Sequence, residues 1–259
     1  MDSIQTVKVG VVTVTYNSGE VIDEFMTSML GQDHQNYILY IIDNASSDDS
    51  LLKLSKYQDE RIVVISNKDN VGVAAGNNQG IKESLTSNCS HVLLINNDTA
   101  FGSDLIIELI SGLRIYQCDM VSPKIMYYDQ PNVIWSAGGY LNKYRANAGQ
   151  EIGANQIDKG QYDFSIQIDY SSTCCLLICS HVFETVGLMD EKYFCYYDDT
   201  DFCLRAKQQN KAIYYMHTTK LFHNASTLTG GRDSPFTIRQ SAKNKVFFIR
   251  KHYSSPIKL

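Results

Sequence analysis

Proline is scarce in this chain of 259 residues, with 4 in all. No Pro-rich or Gly/Ser-rich tract interrupts it, so nothing reads as a linker between separately folded parts and one domain over 1–259 is expected. Long apolar runs are missing: the longest, of the kind Val92–Ile95 and Cys174–Cys179, fall far short of the roughly 18 residues a membrane-spanning helix needs. The first residues, Met1 to Gln5, hold neither a basic stretch nor an apolar one of the secretory type, which makes a cytoplasmic protein the expectation. Seven cysteines occur without any CxxC pair, which argues against a zinc ribbon and for reduced, buried thiols. A positive balance is absent too: the net charge of −5 speaks against a general nucleic-acid binder. What is present is 44% hydrophobic and 20% charged, a composition that excludes disorder, collagen and coiled coil and suffices for a full core.

From residue 8 to 123 short β-branched runs alternate with segments of helical period, the rhythm of βαβ units and a mainly parallel sheet. Strands are predicted at Val9 to Thr15, Ile38 to Ile42, Ile62 to Ile65, Val92 to Ile95 and Met120 to Ser122. All are nearly uniformly apolar, as strands covered on both faces are. Helices are predicted at Glu20 to Leu30 and Asp104 to Leu113, where apolar residues recur on one stripe, with Ser103 or Gly102 as the cap of the second. Beyond Pro123 the alternation fades. Trp135 to Tyr140 and Arg145 to Gln161 read as long irregular loops, and Ile168 to Ile178 as one strand. A short helix is expected at Val182 to Val186, and another starting near Asp199.

Polar clusters follow the first four strands: Tyr16-Asn17, Asp43-Asn44, Asn67 and Asn96-Asn97-Asp98. The carboxyl ends of parallel strands converge on one crevice, so these amides and carboxylates predict a polar, hydroxyl-rich or phosphate-bearing ligand. The segment Asn70 to Gly80 opens a helix with small residues that either admit a ligand to the backbone or permit tight helix packing; it is neither a P-loop nor a GxGxxG turn. Further on, Asp198, Asp199 and Asp201 crowd three carboxylates into four positions, which repel unless a cation or a shared proton relieves them. Capping of a helix N-terminus is the alternative use for the first two, and an i+4 pair with Arg205 for the third. His223 closes an apolar run that begins near Ile213. The single tryptophan, Trp135, is either a platform for a sugar face or a core residue. Arg239 to His252 mixes Val246, Phe247, Phe248 and Ile249 with basic residues, the pattern of a helix lying on a membrane or against the domain.

In this order the segments resemble family 2 glycosyltransferases of the GT-A fold, in particular the bacterial branch similar to rhamnosyl- and galactofuranosyltransferases. The matching pieces are Val12 to Asn17, Ile41 to Asp48, Asn70 to Gly80, Leu93 to Asp98, Phe183 to Glu191, Tyr196 to Arg205 and His223, which together cover nearly the whole chain. The resemblance implies an α/β fold with a Rossmann-like, mainly parallel sheet flanked by helices. Residues 1–123 would bind the nucleotide sugar, and a mixed second half, 124–259, would carry the acceptor and the catalytic base. It further implies that Thr15, Tyr16 and Asn17 border the nucleotide and that Asp43, with Asn44 in the same set, bonds the base. Gly76 and Asn77 would line the sugar side, with Asn97 near the ribose or phosphate. Asp98 and His223 would hold a divalent metal, Mg²⁺ or Mn²⁺, Asp199 would be the base with Asp198 beside it, and Trp135 would lie on the acceptor side.

Two departures stand out. Asn96-Asn97-Asp98 occupies the place of a DxD motif with only its last position acidic, and Thr173-Cys174-Cys175 replaces a small-residue pair. The implied partners are a UDP-, dTDP- or GDP-linked sugar and a saccharide or lipid-linked acceptor of the cell envelope, with peripheral contact at the inner face of the membrane as an option and no nucleic acid. A nucleotidyltransferase is the first rival reading, but Thr15 to Glu20 lacks the basic loop it needs. A binding protein without turnover is the second.

Overall fold

The computed structural model describes residues 3–225 and 234–253. In the first half, strands β1 (Val9–Thr15), β2 (Tyr37–Asp43), β3 (Ile62–Ser66) and β4 (His91–Ile95) alternate with helices α1 (Ile22–Leu30), α2 (Ser50–Leu54) and α3 (Val73–Thr86). Then come β5 (Thr99–Phe101), α4 (Leu105–Tyr116), β6 (Met120–Tyr127), β7 (Ile134–Ser136), β8 (Gly139–Asn142), β9 (Ala148–Glu151), β10 (Ile166–Ile168) and β11 (Cys175–Cys179). The chain continues through α5 (His181–Val186), α6 (Asp198–Gln208), β12 (Ile213–His223) and α7 (Pro235–His252). A single ten-stranded sheet runs β10-β12-β6-β11-β4-β1-β2-β3, with β5 added to β12 and β7 to β6, while β8 and β9 form a separate hairpin. β4, β1, β2 and β3 are mutually parallel, β11 is antiparallel to both β4 and β6, and β12 is again parallel to β6.

Because side chains alternate across a strand, neighbouring residues feed two separate cores. Val12, Ile42 and Leu94 face α3, α5, α6 and Phe248 of α7, whereas Val11, Ile41 and Leu93 face the stripes of α1 and α4. At the crossing of α3 over β1, an added Cβ at Gly80 would come within 2.3 Å of Val12, and one at Gly76 within 2.9 Å of Val14. Here the small residues permit close helix-to-sheet packing.

Some sequence expectations need correction. The stretch Ile168 to Ile178 is two strands, β10 at the sheet edge and β11 in its interior, because residues 169–174 leave the ladder between them. Residues 135–140 and 145–161 hold β7, β8 and β9, strands of three or four residues that are too short to show a period. Neither Ser103 nor Gly102 caps α4. Asp104 is its N-cap, without a side-chain bond, while Ser103 donates to Asp33 (2.8 Å). The strand predicted at Met120 to Ser122 continues to Tyr127.

Candidate active site

The carboxyl edge of the parallel strands gathers the polar clusters, and most of their amides are used within the protein. Asn17 has φ of 52°; its Oδ1 accepts from the Ser47 amide (2.8 Å) and its own amide donates to Ser46 (2.9 Å). Asn44 donates to the Gly72 carbonyl (3.1 Å) and accepts from Asn67 (2.9 Å). Asn97 donates to the Val14 carbonyl (3.2 Å) and to the Ser18 hydroxyl (3.0 Å). These residues tie neighbouring strand ends together, a use that loop composition by itself does not distinguish from ligand binding. Gly76 packs on Val14, and the amide of buried Asn77 lies 3.8 Å from Met189 Sδ.

Three groups at this edge retain unused capacity. Thr15 Oγ1 and Asp43 Oδ1, on residues paired in register, are buried without a hydrogen-bond partner, and Tyr16, next to Thr15 in sequence, is 45% exposed. A buried polar atom left unpaired costs about 1–3 kcal/mol, which a bound ligand can recover.

Asp98 and His223 meet through the sheet. Antiparallel pairing of β5 with β12 sets Thr99 opposite His223, and the Asn224 amide donates to the Asp98 carbonyl (2.8 Å). This register brings His223 Nε2 to 3.2 Å from Asp98 Oδ1 with both side chains more than nine-tenths buried. The contact is close but misaligned: Asp98 Oδ1 makes no hydrogen bond, and neither does His223 Nδ1. Two donors at right angles on one small cation lie about 3 Å apart, so the pair fits a hard divalent ion better than it fits a hydrogen bond. Among the described residues no third His, Cys, Asp or Glu joins them. Half-buried Trp135 packs edge-on against the His223 ring, at 4.9 Å and 82°.

Asp198 and Asp199 open α6, as the sequence predicts, and both carboxyls are pushed up. Burial is the main cause for each, with the repulsion of Asp199 adding to it for Asp198. Opposing that rise, Asp199 Oδ2 accepts from the Tyr170 hydroxyl (2.8 Å) and Oδ1 from the Thr200 amide (2.6 Å). Asp201 is different. Its buried carboxylate takes Arg205 Nε (2.8 Å), Lys251 Nζ (2.7 Å) and His252 Nε2 (2.7 Å), and although burial opposes it, these partners hold its pKa far below the usual range.

Two features missed in the sequence position the pair. Tyr196 and Tyr197, immediately before it, have φ of 69° and 68°, a left-handed conformation costly for such side chains. Asn244 of α7 holds them, its amide donating to the carbonyls of Cys195 and Tyr196, each at 2.8 Å.

The segment 170–174 joins the two centres. Tyr170 bonds Asp199 at one end, and the Cys174 carbonyl accepts from the Asn96 amide (3.0 Å) at the other. Five residues span at most about 17 Å, so Asp199 and the Asp98–His223 pair lie within reach of one short segment. Glu151, another residue missed in the sequence, lies within electrostatic reach of both ends of this segment. It bonds the Ser136 hydroxyl, and its charge reaches Cys174, as does that of Asp98, and also Tyr170, as does that of Asp199. After burial, the larger cause, these charges push both groups well above their ordinary pKa. A surface cavity of about 530 Å³ opens around Tyr127, Asn132 and Asn155, and Tyr127 is the register partner of His223.

This arrangement of strands and residues has known counterparts. The hexosyltransferase Agl10 of low-salt glycan biosynthesis in Haloferax volcanii is 25% identical over 248 residues, 95% of this chain and 77% of the relative. The dTDP-rhamnosyl transferase RfbF of Shigella flexneri is 23% identical over 82% of this chain and 67% of its own. In fold, the mannosyltransferase PcManGT of Pyrobaculum calidifontis, solved with GDP-Man and Mn²⁺, superposes with a TM-score of 0.67 at 13% identity, covering 98% of this chain and 68% of that one. Other solved structures of this fold are longer: the chain spans 60% of S. aureus TarS 1–349, at a TM-score of 0.60, 17% identity and 82% of this chain. Glycosyl transferase family 2 matches residues 10–180, about two thirds of the sequence, and the chain therefore belongs to that family, a glycosyltransferase with a GT-A-like fold.

Proposed function

We propose that the protein moves a sugar from a UDP-, dTDP- or GDP-linked donor to a hydroxyl of a saccharide or lipid-linked acceptor, with inversion at the anomeric carbon. The observation that carries this reading is the close, unbonded pair Asp98 and His223, joined by one short segment to Asp199, whose carboxyl is raised.

Asp199 takes the proton of the acceptor hydroxyl as that oxygen attacks. Its raised pKa makes it a stronger base than an ordinary carboxylate, and Tyr170 and Thr200 fix its orientation. Asp198, buried against it, keeps its proton, so the pair carries one charge rather than two. Thr15 and Asp43 receive the nucleotide with the polar atoms left free for it. Asp98 and His223 hold the divalent cation, Mg²⁺ or Mn²⁺; when bound, it supplies Lewis-acid neutralisation of the departing diphosphate.

The test is Asp199→Asn together with chelation. The substitution should lower transfer by at least ~10²-fold while leaving the donor-induced thermal shift unchanged. Excess EDTA should abolish transfer, and Mn²⁺ or Mg²⁺ should restore it. Undiminished transfer by the variant removes Asp199 as base, and full activity in EDTA removes the metal from Asp98 and His223.

A further inference from the structure

We infer that the outer face of α7 docks on an anionic lipid bilayer. The helix has 18 residues, PFTIRQSAKNKVFFIRKH, with five Lys and Arg and no Asp or Glu, in a chain whose net charge is −5. Its inner face is committed to the domain. Thr237, Asn244 and Phe248 are buried, and Lys251 pairs with Asp190 (2.8 Å) and Asp201 (2.7 Å).

The opposite face is exposed, and its composition is mixed in a particular way. Arg239, Lys243, Arg250 and Val246 (41% exposed) point away from buried Phe248, with Lys245 and Ile238 (57%) on one flank and Phe236 (45%) on the other. Exposed apolar side chains on a cationic helix free of acids suit an interface that offers both negative headgroups and acyl chains. A nucleic acid would use the charges but not the apolar groups. The described helices do not include one long and apolar enough to cross a membrane, so this contact lies in the surface plane. Through Asn244, Lys251 and His252 the same helix is fixed to residues 195–201, so docking would set the height of that segment above the lipid. Lipid binding by α7 does not require turnover at Asp199.

The experiment is cosedimentation of the full chain with phosphatidylcholine vesicles and with vesicles one third phosphatidylglycerol, at about 0.1 M salt, where exposed charges still act over roughly 10 Å. Partition should be at least tenfold stronger on the anionic vesicles and should fall as salt rises. The triple change Arg239→Glu, Lys243→Glu, Arg250→Glu should remove it while the circular-dichroism melt stays that of the parent. If the triple variant fails to fold, the neutralised pair Lys243→Gln, Arg250→Gln should still weaken pelleting several-fold. Absence of pelleting on anionic vesicles, equal pelleting on neutral ones, or unchanged pelleting of a folded variant overturns the inference. So does a dimer that the charge reversal dissociates while vesicles remain unbound, which would assign the face to a second copy.

Discussion

Asp199 and Asp201 sit two residues apart on one helix, and their surroundings drive them in opposite directions. Burial raises Asp199 against the pull of two hydroxyls and one amide; a guanidinium, an ammonium and an imidazole nitrogen lower Asp201 although it too is buried. Their neighbours, more than their sequence spacing, decide which of them binds a proton the more readily. On the proposed mechanism, removing the Tyr170 hydroxyl should raise Asp199 further, since that bond favours the ionised form. Tyr170→Phe should therefore move the acidic limb of the kcat/KM profile to higher pH, with the plateau reduced less than tenfold. A limb that stays in place means that another group sets it.

At the scale of elements, α7 holds the entrance to α6 in place. Two successive residues at positive φ are unfavourable, and the two hydrogen bonds from Asn244 offset part of that cost just before Asp198 and Asp199. Asn244→Ala should lose about 1–3 kcal/mol of unfolding free energy, the range for leaving buried carbonyls unpaired. It should also change kcat more than the KM for donor, because the ends of β1 and β2, where the donor is proposed to bind, are untouched. Loss of stability with full kcat in the folded fraction would show that the clamp is structural only. The sequence displayed the two tyrosines and the asparagine, but 48 residues separate Asn244 from Tyr196 and no periodicity links them.

Across the whole molecule, the buried carboxylate of Asp201 joins α6 to α7, while Lys124, also buried, joins β6 to the 158–163 loop through Asp158 (3.1 Å) and Asp163 (2.5 Å). Breaking such a pair from one side leaves a charge in a poorly solvated site, at a cost of about 3–5 kcal/mol. Asp201→Asn should lower unfolding stability by about 3 kcal/mol at pH 7. The pH dependence has a definite sign. With its folded pKa below the unfolded one, Asp201 stabilises fully above the unfolded pKa, and that stabilisation drains as pH falls through the carboxylate range. Denaturation measured at pH 7 and at about pH 3 should therefore show the gap between parent and variant narrowing in acid. A gap that is constant with pH would mean that Asp201 is not ionised in the fold.

Local chemistry was enough to determine much of this protein. The apolar runs and one-sided helical stripes specify β1 to β4, α1 and α4, because each is visible within one segment, as a short β-branched run or as a period of 3.6 residues. The chemistry available at strand ends, including Asp98 and His223, and at the start of α6, with Asp199, was legible for the same reason: residue type is local. Only the tertiary structure decided which of those groups are free. It spent Asn17, Asn44 and Asn97 on loop-to-loop bonds, set Asp98 against His223 through the pairing of β5 with β12, and placed Tyr170, Glu151 and Asn244 around the base. Each of those outcomes depends on contacts between residues tens of positions apart. Burial and the partners it brings, set only when the chain closes on itself, fix whether a polar atom is satisfied, charged or left open for a ligand.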